Sequence, residues 1–322
     1  MQPQNDLLHR ASLYLHQDKL ISFPTETVYG LGGNALSDKA VAAIYAAKGR
    51  PQFNPLIVHI HSVNEAKKYA EFTVLASILA QHFWPGPLTL VLKRRKDCPL
   101  SLLVSAGMDT VALRVPAHDL AQSLLKESGL PVAAPSANRS GRISPTDAQH
   151  VAEEMGKRVE LILDGGPCRV GIESTVVDMT GDMPVILRPG SITADVLSEV
   201  LGLPVRHDST GSIQSPGMLA SHYAPDHPLR LNALNVSPSE ALLAFGSVIP
   251  YGAFHTENLS VKSDLREAAA NLFRMLRKLD ACGARRIAVM PIPETGSENA
   301  LGIAINDRLK RAASPRSDQV LQ

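Results

Sequence analysis

Cysteine is scarce in this chain: Cys98, Cys168 and Cys282 are the only three in 322 residues, and they stand far apart. No pair has zinc-ligand spacing and no CxxC occurs, so neither a metal site nor a disulfide framework is expected. Net charge is small too, +1 at pH 7. That removes any global field for a polyanion and argues against a purely non-specific nucleic-acid binder, although a local basic patch would suffice for RNA. Long apolar runs are also missing. No stretch of ~18 apolar residues occurs, so no membrane span is expected. The opening MQPQNDLLHRASLYLHQDKL alternates polar and apolar residues at helical spacing, unlike a signal peptide. Asn-X-Ser triplets at Asn138, Asn235 and Asn258 carry no weight without a secretory signal. The expected location is the cytoplasm. Neither a GxxxxGKS/T P-loop nor a dinucleotide fingerprint is present, since Gly30-Leu31-Gly32 lacks the later glycine.

What is present is a globular composition, 44% hydrophobic, in a chain long enough for two domains. Periodicity predicts helices over 6–17, 38–47, 63–69, 118–128 and 146–155, with Ser37 capping the second. Strands are predicted over 20–23, 55–60, 88–93, 110–115, 132–134, 161–163, 174–178 and 185–187. Short strands mixed with short helices suggest an α/β or α+β domain around a twisted mixed sheet, ending near Pro204. Residues 205–228 are polar, rich in Ser, Gly and His, and nearly free of periodic pattern. A connector of that length is disordered or functional. Beyond it, strands over 229–234, 242–249 and 287–290 alternate with helices over 264–281 and 300–313, the order of a small Rossmann-like α/β domain. The predicted division is therefore 1–204, a linker or lid over 205–228, and 229–322.

Chemistry concentrates in turns after strands, where ligands of α/β sheets bind. Phe23-Pro24-Thr25-Glu26-Thr27-Val28-Tyr29-Gly30-Leu31-Gly32 offers hydroxyls and backbone amides, or is simply a capped turn. In Lys48-Gly49-Arg50-Pro51-Gln52-Phe53-Asn54-Pro55 the two basic residues complement a helix C-terminus. Alternatively, Gly49 and Pro51 fix the Arg50 fork toward phosphate or carboxylate. His59 and His61 share one strand face and read as structural rather than metal-bound. Trp84, among prolines, reads as a packing anchor. Arg114 lies inside the apolar strand TVALRV and needs an anion, either a bound carboxylate or a protein Asp or Glu. Ser136 and Asn138 in APSANRSG point the same way, and Ser144 reads by default as a helix cap. The glycine-rich Asp164-Gly165-Gly166 turn offers amides to an anion. Leu187-Arg188-Pro189-Gly190 holds another arginine at a rigid turn.

Taken in order, FPTETVYGLG, KGRPQFNPLIVH, FWPGPLTLVL, DTVALRVPAH, APSANRSG, DGG…GIESTVVD and LRPG closely resemble the YrdC-like threonylcarbamoyl-AMP synthase family. SPGMLASHYAP and the small domain after it resemble that family's long, two-domain branch. The resemblance implies a twisted α/β sheet around a large, positively lined concave cleft. It implies L-threonylcarbamoyladenylate synthesis from L-threonine, bicarbonate and ATP, a nucleotidyltransferase step toward N6-threonylcarbamoyladenosine in tRNA. On the matching positions, Lys48, Arg50, Ser136 and Asn138 would form the basic-polar tetrad around nucleotide and carbamate. Thr27, His59, Arg114, the backbone at Ala134, and Ser174 would hold threonine. Arg50, Asn54, Thr110, Ser136, Ser144, Arg188 and Tyr223 would hold ATP, with Mg2+ arriving on the nucleotide and no protein metal site. Implied partners include the proteins that transfer the threonylcarbamoyl group to tRNA, with tRNA itself left open. The linker, through Tyr223, is either a lid over the nucleotide or a tether. Two other readings are an RNA-binding or ribosome-maturation module, contacting RNA through Lys93–Lys96, Arg139 and Arg142, and carbamoyl transfer for metal-centre maturation. The latter normally needs further domains that this chain has neither the length nor the cysteines to supply.

Overall fold

The computed structural model describes residues 2–208, 222–294 and 299–314. They fold as two compact units. The first comprises residues 2–140, 145–168 and 173–208; the second takes in 141–144, 169–172 and the described residues from 222 onward.

The first unit opens with α1 (Gln2–His16) and β1 (Ile21–Phe23), and a turn over 24–29 returns the chain antiparallel as β2 (Gly30–Asn34). The sequence pattern marks this second stretch only as a turn. It becomes a strand of glycines because the Phe23 ring fills the space beside it: a Cβ on Gly32 would lie 2.9 Å from that ring. Next comes α2 (Asp38–Lys48), N-capped by Ser37 and closed by Gly49 in the left-handed region, φ 60. Then follow β3 (Ile57–His59), α3 (Val63–Ala66), α4 (Val74–Phe83), β4 (Leu88–Lys93) and β5 (Thr110–Arg114). The unit continues through α5 (Asp119–Ser128), β6 (Val132–Ala133), α6 (Ala148–Met155), β7 (Leu161–Ile162), β8 (Thr175–Asp178), β9 (Val185–Arg188), α7 (Ala194–Leu201) and β10 (Arg206–His207).

The ten strands form one mixed sheet in the order β10-β9-β8-β4-β5-β3-β6-β2-β1-β7. Strand alternation sends Val58, Leu90, Leu92, Val111 and Leu113 to one face, where they enter the main core. The opposite face carries Ile57 beside Ala112 and His59 beside Arg114. Here α1 and α5 cover only the β1 and β6 end, through Ala11, Leu15, Leu124 and Leu125 against Ile21 and Val132. Toward β4, β8 and β9 the same face bears a small apolar patch of Ile57, Val91, Ala112, Val176 and Leu187.

The second unit contains β11 (Leu229–Arg230), β12 (Glu240–Ala244), β13 (His255–Asn258), α8 (Leu265–Asp280), β14 (Arg286–Val289) and α9 (Asn299–Ala313). Its four strands are parallel throughout, in the order β11-β14-β12-β13.

Several expectations change. Ser144 caps no helix: α6 begins at residue 148, and Asp147 accepts from His150 N at 2.9 Å. The strand predicted over 242–249 ends at Ala244, two residues before Gly246 turns at φ 90, and that over 229–234 ends before Asn232 at φ 55. Helices α4 and α7 and strands β10 and β13 were not expected. Of the predicted connector, residues 209–221 lie outside the described residues, and with them the SPGMLAS part of the lid reading.

Beyond β9, Gly190 passes so close to the neighbouring chain that a Cβ would lie 2.4 Å from Thr175 N. Gly190→Ala is expected to lose ~2 kcal/mol or more in urea denaturation. A loss below ~0.5 kcal/mol would mean this approach is compliant.

Candidate functional site

Five turns of the first unit meet on the helix-poor face of the sheet. The turn over 24–29 is organised by Thr25, whose Oγ1 donates to Val28 O at 2.7 Å and accepts from the amides of Thr27 and Val28. This fixes the two residues beside it. Thr27 Oγ1 accepts from Arg114 Nη1 at 2.9 Å, and Glu26 Oε1 lies 2.7 Å from Arg114 Nη2. The second Glu26 oxygen accepts from Ala117 N at 3.0 Å, and Arg114 Nε reaches Gly86 O at 3.3 Å. Both partners of this ion pair are buried. The anion that a buried Arg114 requires is therefore supplied by the protein, from Glu26.

His59 neighbours Arg114 across the β3–β5 pair and meets the Phe23 ring edge-on at 5.9 Å. Burial, reinforced by the Arg114 charge, pushes its pKa down to about 3. It is a neutral imidazole, and its buried Nδ1 has no hydrogen-bond partner.

At the next turn Gly49 ends α2 and leaves Lys48 buried. Its ammonium donates to Ser136 O at 2.6 Å and to Asn138 O. Burial first, and the Arg50 charge second, hold the Lys48 pKa well below the usual lysine value. Arg50 folds onto its own turn: Nη2 donates to Asn54 Oδ1 at 2.6 Å and Pro55 O at 2.9 Å, and Nε to Asn54 O at 3.1 Å. Asn54 Nδ2, wholly buried, has no partner. The strand end Ala134–Asn138 is zipped to β2 by Leu31 N to Pro135 O and Ala137 N to Tyr29 O, and to β3 by Ala134 N to Ile57 O. Thr110 starts β5, half-buried beside Lys93.

The last turn brings Arg188 to Ser174. Its Nε and Nη2 both donate to Ser174 O, and Nη2 also lies 3.1 Å from Ser174 Oγ, which shares a hydrogen bond with Thr89 Oγ1 at 2.8 Å. Gly86 and Pro87 connect this group to Arg114: Gly86 O accepts from Arg114 Nε, and Pro87 O accepts from Thr175 N.

Arg50, Arg114 and Arg188 are thus all buried and turned inward. Ser144 and Tyr223, the other two residues expected at the ATP site, fold with the second unit. The buried Tyr223 ring stacks on Phe273 at 5.3 Å, with the Arg308 guanidinium 5.8 Å from its centre.

The Gly165 and Gly166 amides do not stand open for an anion. Gly165 N donates to Tyr29 Oη at 3.1 Å and Gly166 N to Asp164 Oδ1 at 2.9 Å. Among the basic residues of the RNA reading, Arg94 donates to Leu100 O, Arg95 pairs with Asp97, Arg139 approaches Glu154, and Arg142 pairs with Asp226. Trp84 is an anchor, its indole donating to Leu88 O at 2.7 Å. Residues that sequence reading passed over are Glu26, Thr89 and the Gly86 carbonyl; the one signal was the unmet charge of Arg114, four strands away from its partner in sequence order.

A family model described as "Telomere recombination", covering the Sua5, YciO and YrdC proteins, matches residues 13–190. A second, "Threonylcarbamoyl-AMP synthase, C-terminal domain", matches residues 192–314. The chain is 40% identical to the threonylcarbamoyl-AMP synthase of Pyrococcus abyssi (95% of this chain, 94% of the relative) and 41% identical to that of Bacillus subtilis (95% and 93%). It superimposes on the crystal structure of P. abyssi Sua5 complexed with L-threonine with a TM-score of 0.86 and 38% identity, covering 95% of this chain and 94% of that one.

Two outcomes follow from the buried charges. Glu26→Gln leaves Arg114 without its counter-charge and should cost ~3 kcal/mol in urea denaturation; a loss under ~1 kcal/mol would mean Arg114 finds another anion. Because folding lowers the His59 pKa from 6.5 to about 3, the unfolded chain binds the extra proton between those values. The stabilisation from neutral His59 is then complete above pH ~6.5 and is lost as pH falls toward 3. His59→Gln should flatten that part of the stability–pH curve, whereas an unchanged slope would place the titration elsewhere.

Proposed function

The chain belongs to the threonylcarbamoyl-AMP synthase family, in its two-domain form, and from that premise we propose that it joins L-threonine, bicarbonate and ATP into threonylcarbamoyl-AMP and pyrophosphate. The product is the activated precursor of N6-threonylcarbamoyladenosine in tRNA, taken up by proteins that transfer the group.

In this reading the threonine amine attacks the bicarbonate carbon, and loss of water leaves a carbamate. A carbamate oxygen then attacks the α-phosphorus of ATP, the bond to the β-phosphate oxygen breaks, and pyrophosphate departs. Charge builds on the five-coordinate phosphorus, so fixed donors and positioning carry the catalysis. No covalent bond to the enzyme is needed.

The observation that carries the assignment is the juxtaposition, on one face of β3 and β5, of neutral His59 and the fully oriented Arg114. Glu26, Thr27 and Gly86 commit three of the five guanidinium N–H groups, so two remain for the threonine carboxylate. The partnerless His59 Nδ1 is a second polar group awaiting a ligand. Thr27, Ala134 through its backbone, and Ser174 complete the threonine site. Arg50, Asn54, Thr110, Ser136 and Arg188 hold ATP. The Asn54 amide, buried with its Nδ2 unmet, suits a phosphate oxygen, because an unsatisfied buried donor costs ~1–3 kcal/mol until a ligand arrives. Lys48 acts by clamping the carbonyls of Ser136 and Asn138, which holds that loop against the nucleotide.

Mg2+ arriving with the triphosphate would be held through phosphate oxygens and water and would supply positive charge there. The donor set fits that division: arginine, amide and hydroxyl groups address the phosphates. The described residues contain no group of three or more His, Cys, Asp or Glu able to hold an ion. No described helix is long and apolar enough to cross a membrane.

Pyrophosphate release from ATP should require both L-threonine and bicarbonate, and Arg50→Ala should lower it at least ~100-fold. Release without threonine would point to a different acceptor and overturn the assignment.

A further inference from the structure

Strand β4 is buried from Leu88 to Leu92, and Thr89 is the one polar side chain in that stretch. Alternation sends Leu88, Leu90 and Leu92 into the main core and turns Thr89, with Val91, to the face that carries His59 and Arg114. Valine would fill the same volume and leave no hydroxyl to satisfy, so a wholly buried oxygen at position 89 requires a partner. Among the described residues the Thr89 hydroxyl has a single one, Ser174 Oγ at 2.8 Å, immediately before the parallel neighbour β8.

A hydroxyl has one proton and two lone pairs, whereas a guanidinium can only donate. Arg188 Nη2, 3.1 Å from Ser174 Oγ, therefore occupies one lone pair of that oxygen. Two arrangements of the Thr89–Ser174 contact remain. If Ser174 donates, the Thr89 proton is left inside a buried strand with no acceptor, which buried donors rarely tolerate. If Thr89 donates, both Ser174 lone pairs are filled and the Ser174 proton is the one left over. That proton belongs to the proposed threonine site, where a substrate oxygen can accept it. Polarised by the Arg188 guanidinium, it is also the stronger donor of the two.

We propose that Thr89 is a positioning residue for the amino-acid substrate: it donates to Ser174 and so commits the Ser174 proton to an oxygen of the bound threonine. This role rests on Ser174 belonging to the threonine site, and adds the direction of its hydrogen bond and the residue that sets it. Without Thr89 Oγ1, one lone pair of Ser174 is open and its hydroxyl is no longer held to one orientation. Arg188 keeps its two bonds to Ser174 O in either case. The loss therefore falls on threonine and spares the nucleotide.

Pyrophosphate release by the full chain tests it. Thr89→Val should raise KM for L-threonine ~5–10-fold, while KM for ATP and kcat stay within ~2-fold of wild type. Thr89→Ala removes the same oxygen without the second methyl and should behave alike. Thr89→Ser, which keeps the hydroxyl, should return the threonine KM to the wild-type range. Because Thr89 acts through Ser174, adding Thr89→Val to Ser174→Ala should raise the threonine KM no further than Ser174→Ala alone. An unchanged threonine KM in Thr89→Val and Thr89→Ala overturns the proposal. So does an equal rise in the ATP KM, a Thr89→Ser variant that fails to rescue, or losses that add in the double variant. Wild-type release that needs no threonine would overturn the synthase assignment itself, and this role with it, before any variant is compared.

Discussion

The Arg114–Glu26 pair is the constraint on which the first unit's chemistry depends. A guanidinium inside a sheet is tolerable only with a counter-charge and hydrogen bonds at its remaining positions. Glu26 supplies the charge, Thr27 and the Gly86 carbonyl the bonds. In satisfying Arg114, each of these is itself located. The turn over 24–29 is pinned above β5, and the turn over 85–87 is drawn toward β8. The Ala117 amide closes on the far Glu26 oxygen. One buried ion pair thus ties three chain segments to one face of the sheet, and the polarity of that face is fixed before any ligand arrives.

Lys48 works in the complementary way. Its ammonium has carbonyls rather than a carboxylate as partners, so it tethers the 136–138 loop without neutralising itself. Burial and the neighbouring Arg50 both oppose its charge. The helix ends where it must to achieve this: Gly49 adopts the left-handed conformation that lets α2 stop and the chain turn toward Arg50. Position comes from the backbone and charge from the side chain, and the two are adjacent in sequence.

Much of this was legible in the sequence because it is local. Ser37 and Gly49 bracket α2, Thr–Glu–Thr reads as an organised turn, and an arginine in an apolar strand announces an unmet charge. The wide span of ordered motifs also made the fold and the two-domain organisation readable. What was not legible depends on tertiary neighbours. β2 looks like a turn because its glycines exist to admit the Phe23 ring. Helix α4 is apolar on most of its positions, which hides its period, although Thr73 marks its start. Ser144 reads as a cap by its proximity to α6, yet Asp147 is the residue whose oxygen meets the amide three positions on. The Asp164-Gly165-Gly166 turn resembled an anion nest, but Tyr29 and Asp164 take its amides. Pairing Arg114 with Glu26 rather than any other acid needed the fold itself, as did the membership of residues 141–144 and 169–172 in the second unit.

The proposed nucleotide and threonine site is rich in buried charge. Lys48, Arg50, Arg114 and Arg188 are all buried in the first unit, and so are Glu26, Glu65 and Glu173. Glu65 is engaged away from the site, with His61 at 2.5 Å, and Glu26 is consumed by Arg114. Glu154 and Glu173 both favour the Lys48 charge against burial and Arg50, and His59 contributes nothing because burial keeps it neutral. A cation in a low-dielectric interior is tolerated only with hydrogen bonds or counter-charge around it. Hydrogen bonds from Arg50 to its own turn and from Arg188 to Ser174 orient these cations. A triphosphate bound here, as the proposed function requires, would meet donors whose directions the fold already sets. Threonine, as a zwitterion, would meet the one arginine whose charge is already matched, so its recognition has to depend on hydrogen-bond geometry rather than on field strength.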